Sequence, residues 1–110
     1  MIARGNTAFY AYPIPDFDDE IIALYVTYAQ HGSVIVEKTL ADVSFDYLDT
    51  DNNHVLVRLS QEDTLKFKPT IRPDRDHVEV QIRLRTKDGE AFNSIVCNER
   101  VQKTLKEGVI

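Results

Sequence analysis

The chain has one cysteine, no tryptophan, one methionine and only four glycines and four prolines. A single Cys97 cannot close an internal disulfide, so a packed core has to hold the fold together. In a strand-like context a lone thiol is expected to act as a small buried hydrophobe, with no redox role. No G-x-S-x-G motif, phosphate-cradling loop or paired-glycine fingerprint occurs among so few glycines. Basic residues are also outnumbered, 13 against 18 acidic, for a formal net charge of -5. Phosphate backbones need a concentrated positive surface, so nucleic acid is not an expected partner. The opening stretch MIARGNTAFYAYPIP carries only a short apolar run, broken by Pro13 and Pro15. Neither a signal peptide nor a membrane span is expected from it. The expected location is the cytoplasm of the producing cell, unless the protein leaves as part of an assembly.

What is present is alternation. With 110 residues, 43% hydrophobic and 28% charged, the chain has the size and composition of one ordinary globular domain. Its cleanest stretch is residues 77–101. Val78, Val80, Ile82 and Leu84 alternate with Glu79, Gln81, Arg83 and Arg85, which gives a strand with one core face and one polar face. Lys87-Asp88-Gly89-Glu90 then supplies an Asp-Gly pair suited to a tight hairpin turn, and the chain returns from Ala91 to Val101.

The same period predicts further strands. Residues 7–14 carry Phe9, Tyr10 and Tyr12 and end at Pro13 and Pro15, the mark of an edge strand. Residues 21–30, IIALYVTYAQ, fit either a helix face or a strand. The β-branched and aromatic content favours a strand, with Ile22, Leu24, Val26 and Tyr28 on one side. His31-Gly32-Ser33 then connects to an antiparallel neighbour through Val34-Ile35-Val36. A short strand is expected over 43–48, a turn over 49–53, and another strand over 54–60 with Val55, Val57 and Leu59 inward. Ser60-Gln61-Glu62-Asp63 has the form of a capping box, which predicts one helical turn over 61–65 with Leu65 and Phe67 tucked beneath the sheet edge.

About seven strands of this length, each apolar on one side only, call for two facing sheets. The expected fold is all-β: an immunoglobulin-like antiparallel sandwich in a single domain, residues 1–110. The helical turn falls between the fifth and sixth strands, where such domains cross from one sheet to the other. A mixed fold with a helix over 18–30 is the alternative reading.

No catalytic site is expected. His31, His54 and His77 lie far apart at strand boundaries and read as surface residues, and no metal-ligand spacing joins them to Cys97. Asp49, Asp51 and Asn53 open like a calcium loop, yet His54 stands where glycine is required and Ser60 where a bidentate Glu is needed. No cofactor or metal is therefore assigned. The segment Arg72-Pro73-Asp74-Arg75-Asp76 reads as a solvated turn. Candidate contact residues are Tyr10 and Tyr12 on one strand face, Tyr25 and Tyr28 on opposite faces of the next strand, and Arg83 and Arg85 on the polar side of the hairpin, with Phe9 counted beside the tyrosines among the aromatics of such a surface. Tyrosines supply interface area at little entropic cost.

The segments LSQEDTLKFKP (59–69), VEVQIRLRTKDGEAFNS (78–94) and LKEGVI (105–110) resemble a family of small proteins encoded in tail modules of phages and prophages of Gram-positive bacteria. More remotely, the early strands resemble the N-terminal immunoglobulin-like domain of siphophage upper baseplate proteins. The resemblance implies a non-enzymatic structural or assembly protein. Its partners would be other tail or baseplate proteins or its own copies, met in the host cytoplasm during assembly, with the virion as a further destination. The segment NSIVCNERV (93–101) departs from that pattern through Cys97 and the charged Glu99-Arg100. A calcium- or carbohydrate-binding sandwich is the competing expectation, motivated by the acidic stretches 16–20 and 49–53 and by the tyrosines.

Overall fold

A computed structural model describes residues 1–15, 20–46, 53–94 and 96–110. In chain order the strands are β1 (Ile2–Ala3), β2 (Ala8–Ile14), β3 (Ile21–Gln30), β4 (Ser33–Thr39) and β5 (Val43–Asp46). They continue as β6 (Asn53–Leu59), β7 (Val78–Thr86), β8 (Ala91–Asn93), β9 (Cys97–Glu99) and β10 (Val101–Gln102). A 3-10 turn, Leu40–Asp42, joins β4 to β5, and the helical turn α1 (Gln61–Leu65) follows β6. Three strands form one antiparallel sheet in the order β2-β6-β5. A larger sheet runs β4-β3-β7-β8, with β9 also paired to β7. The sheets pack face to face, so the chain is an all-β sandwich.

Alternation builds the shared core. Val78, Val80, Ile82 and Leu84 of β7 are each 4% exposed or less, while Glu79, Arg83 and Arg85 face solvent. From the opposing sheet Val55, Val57 and Leu59 meet them, also almost wholly buried. Tyr12 on β2 and Tyr28 on β3 join hydroxyls across the layers at 2.9 Å. Burial holds both phenols well above their ordinary range, so each stays neutral and shares one hydrogen bond.

Hairpin chemistry fixes which strands become neighbours. His31 and Gly32 both take positive φ, 53° and 77°, as the two-residue turn between β3 and β4 requires. A loop that short cannot cross the roughly 10 Å between stacked sheets. β3 therefore pairs with β4 on one side and β7 on the other. In the immunoglobulin constant-type layout the second strand shares a sheet with the first, fifth and fourth. One strand is thus exchanged here within the same three-and-four division of principal strands.

The second turn, between β7 and β8, is one residue longer than a tight Asp-Gly hairpin. Among its residues only Gly89 takes positive φ, 96°. Thr86 N–H donates to Glu90 O at 2.8 Å and Gly89 N–H to Thr86 O at 3.1 Å. Asp88 turns its carboxylate back onto the Thr86 hydroxyl and the Glu90 N–H. The return strand is broken: β8 ends at Asn93, Ser94 binds Ile82 through both its N–H and its hydroxyl, and pairing resumes at Cys97.

Three expectations change in detail. Ile22, expected to face inward, is 43% exposed, because a bulge between Ile21 and Ala23 adds one residue to β3 and turns Ile22 out. Cys97, expected to be a buried hydrophobe, is exposed, because β9 lies at the edge of the larger sheet among the described strands. Asp76, expected in a solvated turn, is 4% exposed. The expected turn over 49–53 and the end of the 43–48 strand fall largely on residues 47–52, outside the described residues.

The crossover between the sheets is held by hydrogen bonds. Ser60 accepts from Asp63 N–H at 3.1 Å while the Asp63 carboxylate accepts from Ser60 N–H at 3.0 Å, so the capping box forms. Phe67 is fully buried, its ring edge-on to Tyr28 at 6.1 Å, and Leu65 is half-buried. Beyond it, the buried Gln30 amide donates to Lys68 O and Asp76 O at 2.8 and 2.9 Å and accepts from Lys68 N–H. Thr70 bonds both the N–H and the carbonyl of Val101. β10 in turn pairs in parallel with β1, so the first and last strands lie side by side.

Candidate interaction surface

The six candidate contact residues do not form one patch. Tyr28 is fully buried and belongs to the core, because even-numbered side chains of β3 from Leu24 onward point between the sheets. It is removed from the contact set. Tyr12 is mostly enclosed by its bond to Tyr28 and stacks on Tyr10 with centroids 6.0 Å apart. Tyr10 is half-buried, and its hydroxyl donates to Met1 O at 2.8 Å, which spends it on anchoring the N-terminal strand.

Tyr25, Arg83 and Arg85 do come together, on the outer face of the larger sheet. Pairing across β3, β7 and β8 sets two adjacent rows, Tyr25-Arg83-Asn93 and Ala23-Arg85-Ala91. These residues line a shallow groove of about 350 Å³. Tyr25 is 47% exposed, and both arginines are exposed. Arg83 is oriented by its Nε donating to Asn93 Oδ1 at 2.9 Å. Arg85 stands between two alanine methyl groups, which neither shield it nor compete for its donors. Among the described residues neither guanidinium forms an ion pair and no carboxylate lines the groove.

Two features lie outside those six residues. Phe9 is 75% exposed and, with Ala11, Leu56 and Arg58, frames a groove of about 510 Å³ on the outside of the smaller sheet. Phe9 counts among the contact-surface aromatics, and alternation places it opposite Tyr10 and Tyr12. Asp76 is the other. Its carboxylate accepts from His31 Nε2 at 2.7 Å, Arg72 N–H at 3.0 Å and Arg75 Nε at 3.0 Å. His31 is therefore a bonded partner and not simply a surface histidine. No local pattern marks this cluster, because its members come from a hairpin turn and a crossover loop.

Among the described residues no group of three His, Cys, Asp or Glu side chains is placed to hold a metal ion. Residues 16–19 and 49–52, which carry most of the acidic stretches behind the calcium reading, lie outside the described residues. No helix of the described residues is long and apolar enough to cross a membrane. The fold and this surface define a β-sandwich with a flat aromatic and cationic sheet face. No protein-family model, curated protein or solved structure matches the chain.

Proposed function

We propose that the chain is a non-enzymatic protein–protein interaction module of a phage or prophage tail or baseplate, docking on a larger tail protein or on its own copies. The observation that carries the docking part is the grouping of Tyr25, Arg83 and Arg85 on one exposed sheet face. Tyrosine and arginine are the residue types most enriched where interfaces concentrate their binding energy. The tail assignment rests on the resemblance of residues 59–69, 78–94 and 105–110, of which the first two build the capped turn α1 and the β7–β8 hairpin. These are elements of architecture, so they speak for kinship and leave the contact to the exposed face. The module would act in the host cytoplasm during assembly, with the virion as a further destination.

The test is affinity capture of the tagged protein co-expressed with the tail proteins encoded beside it, with light scattering for self-association. Capture of a tail protein, reduced by Tyr25→Ala together with Arg83→Glu, supports the reading. A monomer that captures none of them overturns it.

A further inference from the structure

We infer that the groove over β7 receives an extended acidic segment of a protein partner, with carboxylates on alternate residues meeting Arg83 and Arg85. The inference rests on the docking role proposed for this face and adds the chemistry of the occupant. Arg83 and Arg85 are two apart on one strand, so their side chains leave the same face about 7 Å from each other. Alternate residues of an extended partner have the same repeat, which lets two carboxylates meet two guanidiniums in register.

The groove favours such an occupant on three counts. Each arginine retains free donors: Arg83 commits Nε to Asn93 Oδ1, and the Arg85 guanidinium has no hydrogen bond or ion pair among the described residues. A guanidinium fork matches a carboxylate in two parallel hydrogen bonds, the strong form of this contact. Second, among the described residues no carboxylate lines this groove, so two cations stand together on a protein of net charge -5. Third, Ala23 and Ala91 flank Arg85 and leave room for a backbone to lie close, with Tyr25 as the apolar wall at one side. Phosphates along a single nucleic acid strand have a comparable spacing, but a net negative protein repels such a polymer over its remaining surface.

Fluorescence anisotropy with a short labelled peptide of alternating Glu and Thr tests the inference directly on the full chain. Expected are salt-sensitive binding and a loss of about tenfold for Arg83→Ala or Arg85→Ala, the scale of one charge-assisted hydrogen-bonding contact. Arg58→Ala, on the outer face of the other sheet, is expected to bind as the parent does. Three results would each overturn the inference: equal binding of a peptide of the same composition with its Glu residues contiguous, an equal loss in Arg58→Ala, or tighter binding of oligothymidylate. Because no tail protein enters this assay, its outcome separates from the capture experiment. A peptide that binds while no tail protein is captured keeps the groove chemistry and refutes the tail assignment. Tail proteins captured equally well by the parent and by Arg83→Ala, Arg85→Ala do the reverse.

Discussion

Asp76 sits where water barely reaches, and its carboxylate is held by the three donors of His31, Arg72 and Arg75 while its own carbonyl receives Gln30 and Thr70. The His31 side chain first, then the Arg72 N–H and the Arg75 guanidinium, hold this carboxyl well below the usual carboxylate range. An acid depressed in the folded state stabilises the fold above its unfolded value, near pH 4, and that stabilisation drains away as the pH falls further. Asp76→Asn is therefore expected to lower the denaturation midpoint at neutral pH. It should also flatten the decline of stability between about pH 4 and pH 2. Urea unfolding across that range checks it, and a parallel downward shift with an unchanged acid slope would refute the electrostatic role. The residue was legible only as part of a charged turn, because its partners lie in the β3–β4 turn and its own loop. The fold alone brings those two turns together.

At the scale of one element, β3 shows how far alternation can be trusted. Its period of two assigns Leu24, Val26 and Tyr28 to the core, and all three are buried. The same period assigns Ile22 to the core, and the bulge turns it out. Bulges depend on how a strand meets its partner, so one strand read alone gives no sign of them. Thermal or urea unfolding separates the two positions: Leu24→Ala is expected to cost about 2–5 kcal/mol by opening a cavity, and Ile22→Thr to stay within about 0.5 kcal/mol. Equal losses would mean that Ile22 packs inward after all. The capping box at Ser60 and Asp63 and the β3–β4 turn were readable for the opposite reason, since each is set by residues no more than four apart.

Over the whole molecule, the sandwich is closed by contacts between its ends. Ile2 on β1 and Val101 on β10 are register partners in a parallel pair, and both are buried. The Met1 ammonium reaches Glu99 at 2.6 Å, and Arg4 bonds Phe67 O and Leu65 O. A double-mutant cycle of Ile2→Ala and Val101→Ala is expected to show a coupling of at least about 0.5 kcal/mol, because the second truncation enlarges a cavity the first has opened. Strict additivity in urea unfolding would place the two residues in separate packing environments. Nothing in the sequence near residue 2 or residue 101 announces this pairing. β1 and β10 are two residues each, too short to show a period.

Alternation, turn residues and the capping pattern, all read from the sequence, determined that the chain is β-rich, where its principal strands lie and which side chains of β6 and β7 face the core. Each of these follows from interactions between near neighbours or from the two-residue repeat of the pleat. Only the tertiary structure decided the exchange of β3 into the larger sheet, the burial of Asp76, and the meeting of Tyr25 with Arg83 and Arg85. These depend on which strands lie side by side. That choice is made by loop reach and by two apolar layers excluding water between them, neither of which is written at any one position.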